Sequence, residues 1–415
     1  MEAVIMKSRV SRAIVASAVV LILLSAALPA RAEWNKGLEA YKKRDWATAV
    51  KEFEEVTKTN PDYAGAYYML GVSQRALGQV SPAIASLRKA VELDGAQSSY
   101  KIALGQALLQ ADQYQNAYEL LKPLSISSVD AANRTNYALL FAQAATKTNR
   151  ESEAISLLTA QAKADPNNAR LQQALGAAYN QSGDDARAFA AFSKAFDLDS
   201  KDQSSGRNAV RAGIVAARRS NSDSQKAQLY TSTARVAERL ANGFPTFDHQ
   251  LLAGEAWLGA KDYGKAEAWF GKAKAQQSSN ALVYFYLAQC KTSTGNLNAA
   301  ISDLQQAIKL KPSGKVRTQI YNQGGYVYDK MKNYNQAMQW YQNAGNSKMV
   351  AEMRTKKDSA TQNAAADKEC ADFKRKIDAL RMQVTELEKL GDSDNAKLLQ
   401  EQLPTLEKDY AERCR

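Results

Sequence analysis

The chain has 415 residues, is 45% hydrophobic, and carries one histidine, three cysteines and a formal net charge of +12. A lone histidine with three scattered cysteines cannot supply the spaced ligand set of a zinc centre. Neither a Gly-Lys-Ser/Thr phosphate loop nor a dinucleotide glycine signature occurs, so the sequence assigns no catalytic residue, no metal and no cofactor.

The first element is an expected targeting segment. Lys7, Arg9 and Arg12 precede an apolar run from Ala13 to Leu28, followed by Pro29 and the small-residue pattern Ala30-Arg31-Ala32. This reads as a secretory signal over residues 1–32, cut before Glu33, which makes the protein exported and periplasmic or secreted. Met6-Lys7 is the more natural beginning of such a signal. The run is shorter than the about twenty apolar residues a membrane span needs, and an uncleaved anchor is the alternative. Removing Lys7, Arg9, Arg12, Arg31 and Glu2 leaves 51 basic and 42 acidic residues, or +9. An exported chain without an aromatic-basic recognition motif is not read as a nucleic-acid binder. Anionic envelope polymers, lipid headgroups or acidic proteins are the partners this excess would suit, and a merely solvated surface is the plainer reading.

From residue 33 a degenerate period of thirty-four residues takes over. Gly37, Trp46, Ala49, Phe53, Val56 and Pro61 belong to the first unit; Leu70-Gly71, Gly78, Ala83 and Leu87 to the second; Leu104-Gly105, Tyr114, Ala117 and Leu121 to the third. Pro123 is expected to shorten the second helix of the third unit. A weaker fourth unit contains Ala142, Ala154, Leu158 and Pro166, and a clear fifth contains Leu175-Gly176, Tyr179, Gly183, Ala188 and Phe192. Residues 203–245 break the period: a basic helix (Arg207 to Arg219) and a longer one (Gln225 to Ala241) flank Ser220-Asn221-Ser222-Asp223-Ser224, read as a degenerate sixth unit acting as a joint. Units seven to nine occupy 246–349, marked by Gly254, Trp257 and Phe270, then Ala288, Gly295 and Leu304, then Gly325, Ala337 and Tyr341.

A set of small and large apolar residues recurring at one period is the mark of stacked helix pairs. These residues make 33 to about 345 resemble the tetratricopeptide-repeat family. The resemblance implies an all-α fold, a right-handed superhelical solenoid of helix pairs. Its concave face, lined by the first helix of each pair, would hold an extended or helical segment of a partner protein. The lysines and asparagines of the family's chaperone-tail clamp are missing, which puts carboxylate-tail recognition in doubt.

Residues one and two places past the core slots of each first helix turn toward that face. They are Trp34, Leu38 and Tyr41; Tyr68 and Arg75; Gln106, Leu109 and Gln110; Gln143 and Thr146; Gln173 and Asn180; Glu255 and Leu258; Phe285 and Gln289; Asn322 and Tyr326. Amides dominate, and an amide pairs with peptide backbone as both donor and acceptor. Tyr68, Phe285 and Tyr326 are the expected aromatic anchors. His249, at the start of the seventh unit, is expected at most to cap a helix or line the groove.

Residues 350–365 read as a linker or capping helix, and 366–415 as a coiled-coil-like antiparallel hairpin. Cys370, Phe373, Ile377, Leu380, Val384 and Leu387 form one stripe, Gly391 ends the helix, and Ala396, Leu399, Leu403, Leu406, Tyr410 and Cys414 form a second. Facing residues on the two stripes have a constant number sum of 783, and Cys370 with Cys414 falls one off it at 784, which sets the two cysteines side by side. A disulfide between them is expected in an oxidising compartment; two free thiols or a bridge between tails are the alternatives. Pro404 is expected to kink the second helix at Leu403. Cys290 reads as a packing residue, since no cation or base stands near to activate it.

These features predict a non-enzymatic interaction scaffold of the cell envelope, a monomer binding a protein segment in its groove. The alternative is a structural protein that oligomerises through the tail coiled coil.

Overall fold

The computed structural model describes residues 32–414, all of whose regular elements are helical. The signal segment read over 1–32 lies, except for Ala32, outside the described residues. No described helix is long and apolar enough to cross a membrane.

Two compact units divide at Phe244 and Pro245. The first holds six helix pairs: α1 (32–42) with α2 (Trp46–Thr59), α3 (Ala64–Ala76) with α4 (Val80–Leu93), α5 (Ser98–Gln110) with α6 (Tyr114–Leu121), α7 (Ala131–Lys147) with α8 (Glu151–Ala164), α9 (Ala169–Gln181) with α10 (Asp185–Leu198), and α11 (Gln203–Arg219) with α12 (Asp223–Gly243). The second holds three more: α13 (Phe247–Gly259) with α14 (Tyr263–Gln276), α15 (Ala281–Ser293) with α16 (Leu297–Lys309), and α17 (Gly314–Lys330) with α18 (Tyr334–Asn343), followed by α19 (Ser347–Leu390) and α20 (Ser393–Arg413).

One packing rule builds the pairs. A small residue on the first helix admits a large residue sixteen positions later on the second: Gly37 and Phe53, Gly71 and Leu87, Gly105 and Leu121, Gly176 and Phe192, Gly254 and Phe270, Gly325 and Tyr341. Ala142 with Leu158 and Ala288 with Leu304 keep the same spacing with alanine in the small slot. A β-carbon on Gly71 would stand 2.6 Å from Leu87, and one on Gly176 2.7 Å from Phe192, closer than real side chains approach. The large partners are completely or nearly completely buried. Most turns within pairs use one left-handed residue, at Arg44, Gly78, Asp112, Asn149, Gly183, Lys261, Gly295 and Lys332. Several second helices are then capped from the turn: the carboxylate of Asp45 accepts from the Thr48 N–H (3.1 Å), that of Asp184 from Arg187 (2.9 Å) and that of Asp262 from Lys265 (3.1 Å).

Irregularities have local causes. Pro123 follows the eight-residue α6, and the extra segment carries a short 3₁₀ turn, Ile126–Ser128, sealed by the Tyr137 hydroxyl donating to the Leu124 carbonyl at 2.8 Å. In the sixth pair the helices are longer, seventeen and twenty-one residues, and the close approach moves to Gly213 and Thr233. That spacing exceeds sixteen by four, about one helical turn, so the added residues lengthen the pair while the same faces still meet. The joint expected over Ser220 to Ser224 is shorter than the sequence suggested. Ser222 caps α12, and Asp223 and Ser224 already stand in its first turn.

The tail is built differently. Helix α19 is continuous for forty-four residues, so 350–365 is part of one long helix. Its first turns cover the ninth pair, with Met353 completely buried against Ala337 and Tyr341. From Lys357 to Glu369 every residue is exposed. Beyond, α19 pairs with α20 in the expected register: Phe373 meets Tyr410 edge to face at 6.0 Å, and Ile377, Val384 and Ala396 are buried in the seam. Cys370 and Cys414 are joined by a disulfide. Gly391 adopts the left-handed conformation at the turn. Helix α20 continues from Ser393 to Arg413 with Pro404 inside it, so the proline expected to bend the helix does not end it.

Candidate interaction groove

The first helices do more than pair with the second. In the first unit α3 also touches α5, α5 touches α7 and α7 touches α9; in the second, α13 touches α15 and α15 touches α17. First helices therefore stand side by side within each unit, and the residues they leave uncovered form a common surface.

The surface deepens at α7, α9 and α11. A cavity of about 480 Å³ opens there. Leu139 and Ala142 of α7, Ala174, Ala177 and Ala178 of α9, and Phe192 give it an apolar floor, while Gln143, Thr146, Lys147, Arg170, Gln173, Gln181 and Asn208 make a polar rim. The depth comes from the alanines, which leave open what larger side chains would fill. Two hydrogen bonds fix part of the rim: the Gln181 amide donates to the Thr146 carbonyl (3.0 Å), tying α9 to α7, and the Gln173 amide donates to Asp202 (3.1 Å), tying α9 to the start of α11.

The structure separates the sequence-derived groove residues into groups. Gln143, Thr146 and Gln173 line the cavity. Gln110 and Asn180 are exposed, and Gln106 is half-buried. Tyr41, Tyr68 and Arg75 are half-buried in the first two pairs. The Tyr68 ring lies 4.9 Å from that of Tyr100, and burial, reinforced by the neighbouring Tyr41 and Tyr100, pushes its phenol above the usual range. Tyr41 packs edge to face on Trp46 at 5.3 Å. The Nε of Arg75 is buried without a hydrogen-bond partner.

In the second unit Tyr326 is 45% exposed, with Lys330 over its ring, and Gln289 is half-buried. The Asn322 side chain is engaged, donating to the Thr318 carbonyl and accepting from Asn346. Phe285 is corrected: it is a core residue, 6% exposed, in a cluster with Ala288, Ile301 and Leu304. Leu109 is likewise buried. Both helices are apolar nearly all round, so counting from the core slot could not tell a second buried face from an open one. Residues the counting missed, Lys147, Arg170, Gln181 and Asn208, sit at helix ends or on the irregular sixth pair, where the period gives no reference point.

The isolated reactive candidates are buried. His249 is in the core at the start of α13, its backbone N–H donating to the Thr246 hydroxyl. Cys290 is completely buried, and burial, with Glu267 nearby, pushes its thiol up to about 12. A thiol held neutral is a packing group and not a nucleophile.

Stacked helix pairs with an open face lined by one helix of each pair define a helical-repeat scaffold. Tetratricopeptide-repeat profiles match residues 35–99, 169–202, 281–313 and 318–344, where the sixteen-residue packing rule also holds. Over these residues the chain is built of tetratricopeptide repeats. Such repeats are typically interaction modules, which marks the chain as a protein-protein interaction scaffold. No curated protein matches the sequence. Among solved structures, the C-terminal part of a TPR repeat-containing protein from Cytophaga hutchinsonii is similar at 17% identity, over 61% of this chain and 98% of that one, with a TM-score of 0.48. The MamA protein is similar at 23% identity, over 42% of this chain and 93% of that one, with a TM-score of 0.38. The TPR domain of P58(IPK) is similar at 13% identity, over 80% of this chain and 99% of that one, with a TM-score of 0.27.

Proposed function

We propose that the protein is an exported adaptor of the cell envelope that holds a segment of a partner protein across the first helices of its repeats. The observation that carries this reading is the cavity at α7, α9 and α11, with its alanine floor and amide rim. An apolar floor accepts a side chain, and amides pair with the backbone on either side of it. Export rests on the basic start and apolar run before Glu33.

A photo-crosslinking residue in place of Gln143 in intact cells tests the site, with the same residue at the exposed Ser156 of α8 as control. A discrete adduct from position 143 and none from 156 is expected. Equal labelling at both, or none at 143, would refute the groove. Replacing Gln106, Gln143, Gln173 and Asn180 with alanine should weaken capture of that partner at least about tenfold, or about 1.4 kcal/mol, with helicity unchanged.

The assembly alternative needs a free coiled-coil stripe on the tail. In the structure that stripe is occupied within the chain, by Phe373 on Tyr410 and by the buried Ile377, Val384 and Ala396. This favours the adaptor and a monomer. Light scattering of the full chain and of a chain ending before residue 366 compares the two: loss of an oligomer on truncation would restore the structural reading.

A further inference from the structure

The groove at α7, α9 and α11 has an uneven charge distribution. On neighbouring elements arginines are given carboxylate partners: Arg187 pairs with Asp184 (2.5 Å), Arg239 with Asp197 (2.6 Å) and Arg219 with Asp185. Lys147 and Arg170 on the cavity rim make no ion pair among the described residues, and the cavity lining contains no carboxylate. Lys147 rests on the Tyr114 ring at 5.7 Å. A neighbouring acid, Asp202, is spent on the Gln173 amide and on capping α11 through the Ser204 N–H.

Helix α11 extends this charge. Arg207 and Arg211 are exposed one turn apart, with the half-buried Asn208 beside them. Asn208 reaches the cavity, and the two arginines flank it on the helix surface, neither in an ion pair among the described residues. They belong to the pair whose extra turn breaks the repeat, so they are not a consequence of the repeat pattern. Lys147 and Arg170 on the rim and Arg207 and Arg211 on the adjoining surface of α11 thus outnumber the one nearby acid, Asp202, and this positive excess would attract a ligand of opposite sign.

We propose that this part of the groove selects an acidic protein segment in which an apolar side chain fills the recess and flanking carboxylates meet Lys147, Arg170, Arg207 and Arg211. This rests on the groove reading above and specifies its partner. Guanidinium groups suit the task, since each can hold a carboxylate through two parallel hydrogen bonds. Exposed charges contribute mainly to selection and encounter rate, and the apolar residue supplies the anchor.

The test uses the full chain and fluorescently labelled synthetic peptides. One has a central Leu-Phe flanked by Asp and Glu on both sides, the second replaces the acids with lysine, and the third replaces Leu-Phe with serine. Anisotropy at low salt should show the acidic peptide binding at least about tenfold tighter than the lysine peptide, with the preference shrinking as salt screens it. The serine peptide should bind at least about tenfold more weakly than the acidic one. The double substitution Arg207→Gln/Arg211→Gln should cut the charge preference by at least about half in log terms, leaving the share of Lys147 and Arg170, with the circular dichroism melt unchanged. Ala177→Trp, which fills the recess, should weaken the acidic peptide without erasing the charge preference. Equal binding of both charge types, no binding of the acidic peptide at millimolar concentration, or a preference undiminished by the double substitution would overturn the proposal. Phosphatidylglycerol vesicles serve as the competing surface: binding to them that depends on Arg207 and Arg211, with no peptide preference, would overturn it in favour of a lipid surface. Crosslinking at position 143 in cells without a charge preference leaves the groove standing and removes only the acidic selectivity; absence of crosslinking removes both.

Discussion

The regular repeats and the tail hairpin both pair antiparallel helices, and they do so by opposite means. In the repeats a glycine or alanine lets the partner helix come close, so that Phe53, Leu87, Leu121, Phe270 and Leu304 are completely buried. In the hairpin, large residues meet across the seam and only Ile377, Val384 and Ala396 are buried. Two helices alone cannot cover a core, while stacked pairs cover one another. The hairpin makes up the difference with a covalent link between Cys370 and Cys414, as small units lacking enough buried surface do.

The strongest way to sharpen this contrast is to empty one slot in each region. Phe270→Ala removes a ring that fills the space above Gly254, and a cost of about 3–5 kcal/mol is expected. Val384→Ala in the hairpin, with partial exposure around it, should cost well under half of that. Urea unfolding of both variants followed by circular dichroism measures the pair, and equal losses would show that the hairpin seam packs as densely as the repeats.

Next in size is the covalent link. Cys370→Ser/Cys414→Ser opens a loop spanning forty-four positions, and such links typically contribute about 2–4 kcal/mol. The loss should be confined to the hairpin: hydrogen exchange should quicken in 370–414 while α13 to α18 stay protected. Thiol labelling of the unfolded native protein should find Cys290 alone reactive before reduction. Labelling of all three cysteines would contradict the disulfide.

How much of this could be read in advance depended on whether a residue's role repeats. Glycine and alanine at one period revealed eight of the nine helix pairs because each small slot must face a large residue at a fixed distance along the chain. The hairpin register was legible for a similar reason, since antiparallel partners keep a constant number sum, and Phe373 does meet Tyr410. Exposure was the harder property. Phe285 and Leu109 occupy positions that are open on other first helices, yet more apolar surroundings bury them. The cavity itself depends on three alanines of α9 standing opposite Leu139 and Ala142, a juxtaposition of separate repeats that no single period encodes. Likewise the extra turn of the sixth pair was visible only as lost period, and its meaning as a preserved crossing at Gly213 and Thr233 needed coordinates.

The buried thiol gives a pH-dependent test of the repeat core. Cys290 is pushed up to about 12 in the folded protein, against an ordinary value of about 8.5 for an unfolded chain. Between these values the folded state keeps a proton that the unfolded state loses. Stability therefore falls as pH rises through this window, by up to about 1.4 kcal/mol per pH unit from this group, and is unaffected below it. Cys290→Ala should flatten that slope between about pH 9 and about pH 10.5 relative to the parent protein. An identical slope in both would mean that the thiol is accessible to solvent.

The smallest expected effects lie in the turns, where the regular pairs can be set against the sixth. Gly295 has a φ of +82° and open space where a β-carbon would go, so Gly295→Ala meets no neighbour and its cost is that of the left-handed backbone, about 1 kcal/mol. Lys332 holds a φ of +58° in the matching turn of the ninth pair. Lys332→Gly relieves that backbone and should stabilise slightly, by less than about 1 kcal/mol, because glycine also loses more freedom on folding. The Ser220 to Ser222 loop contains no positive-φ residue, so Asn221→Gly there carries only the entropic penalty and should destabilise by a few tenths to about 1 kcal/mol. Opposite signs at 332 and 221 in thermal melts would show that the sixth pair turns by a different backbone route. The same sign at both would show that the left-handed residue is incidental to the repeat, leaving the glycine crossings as the feature that sets its geometry.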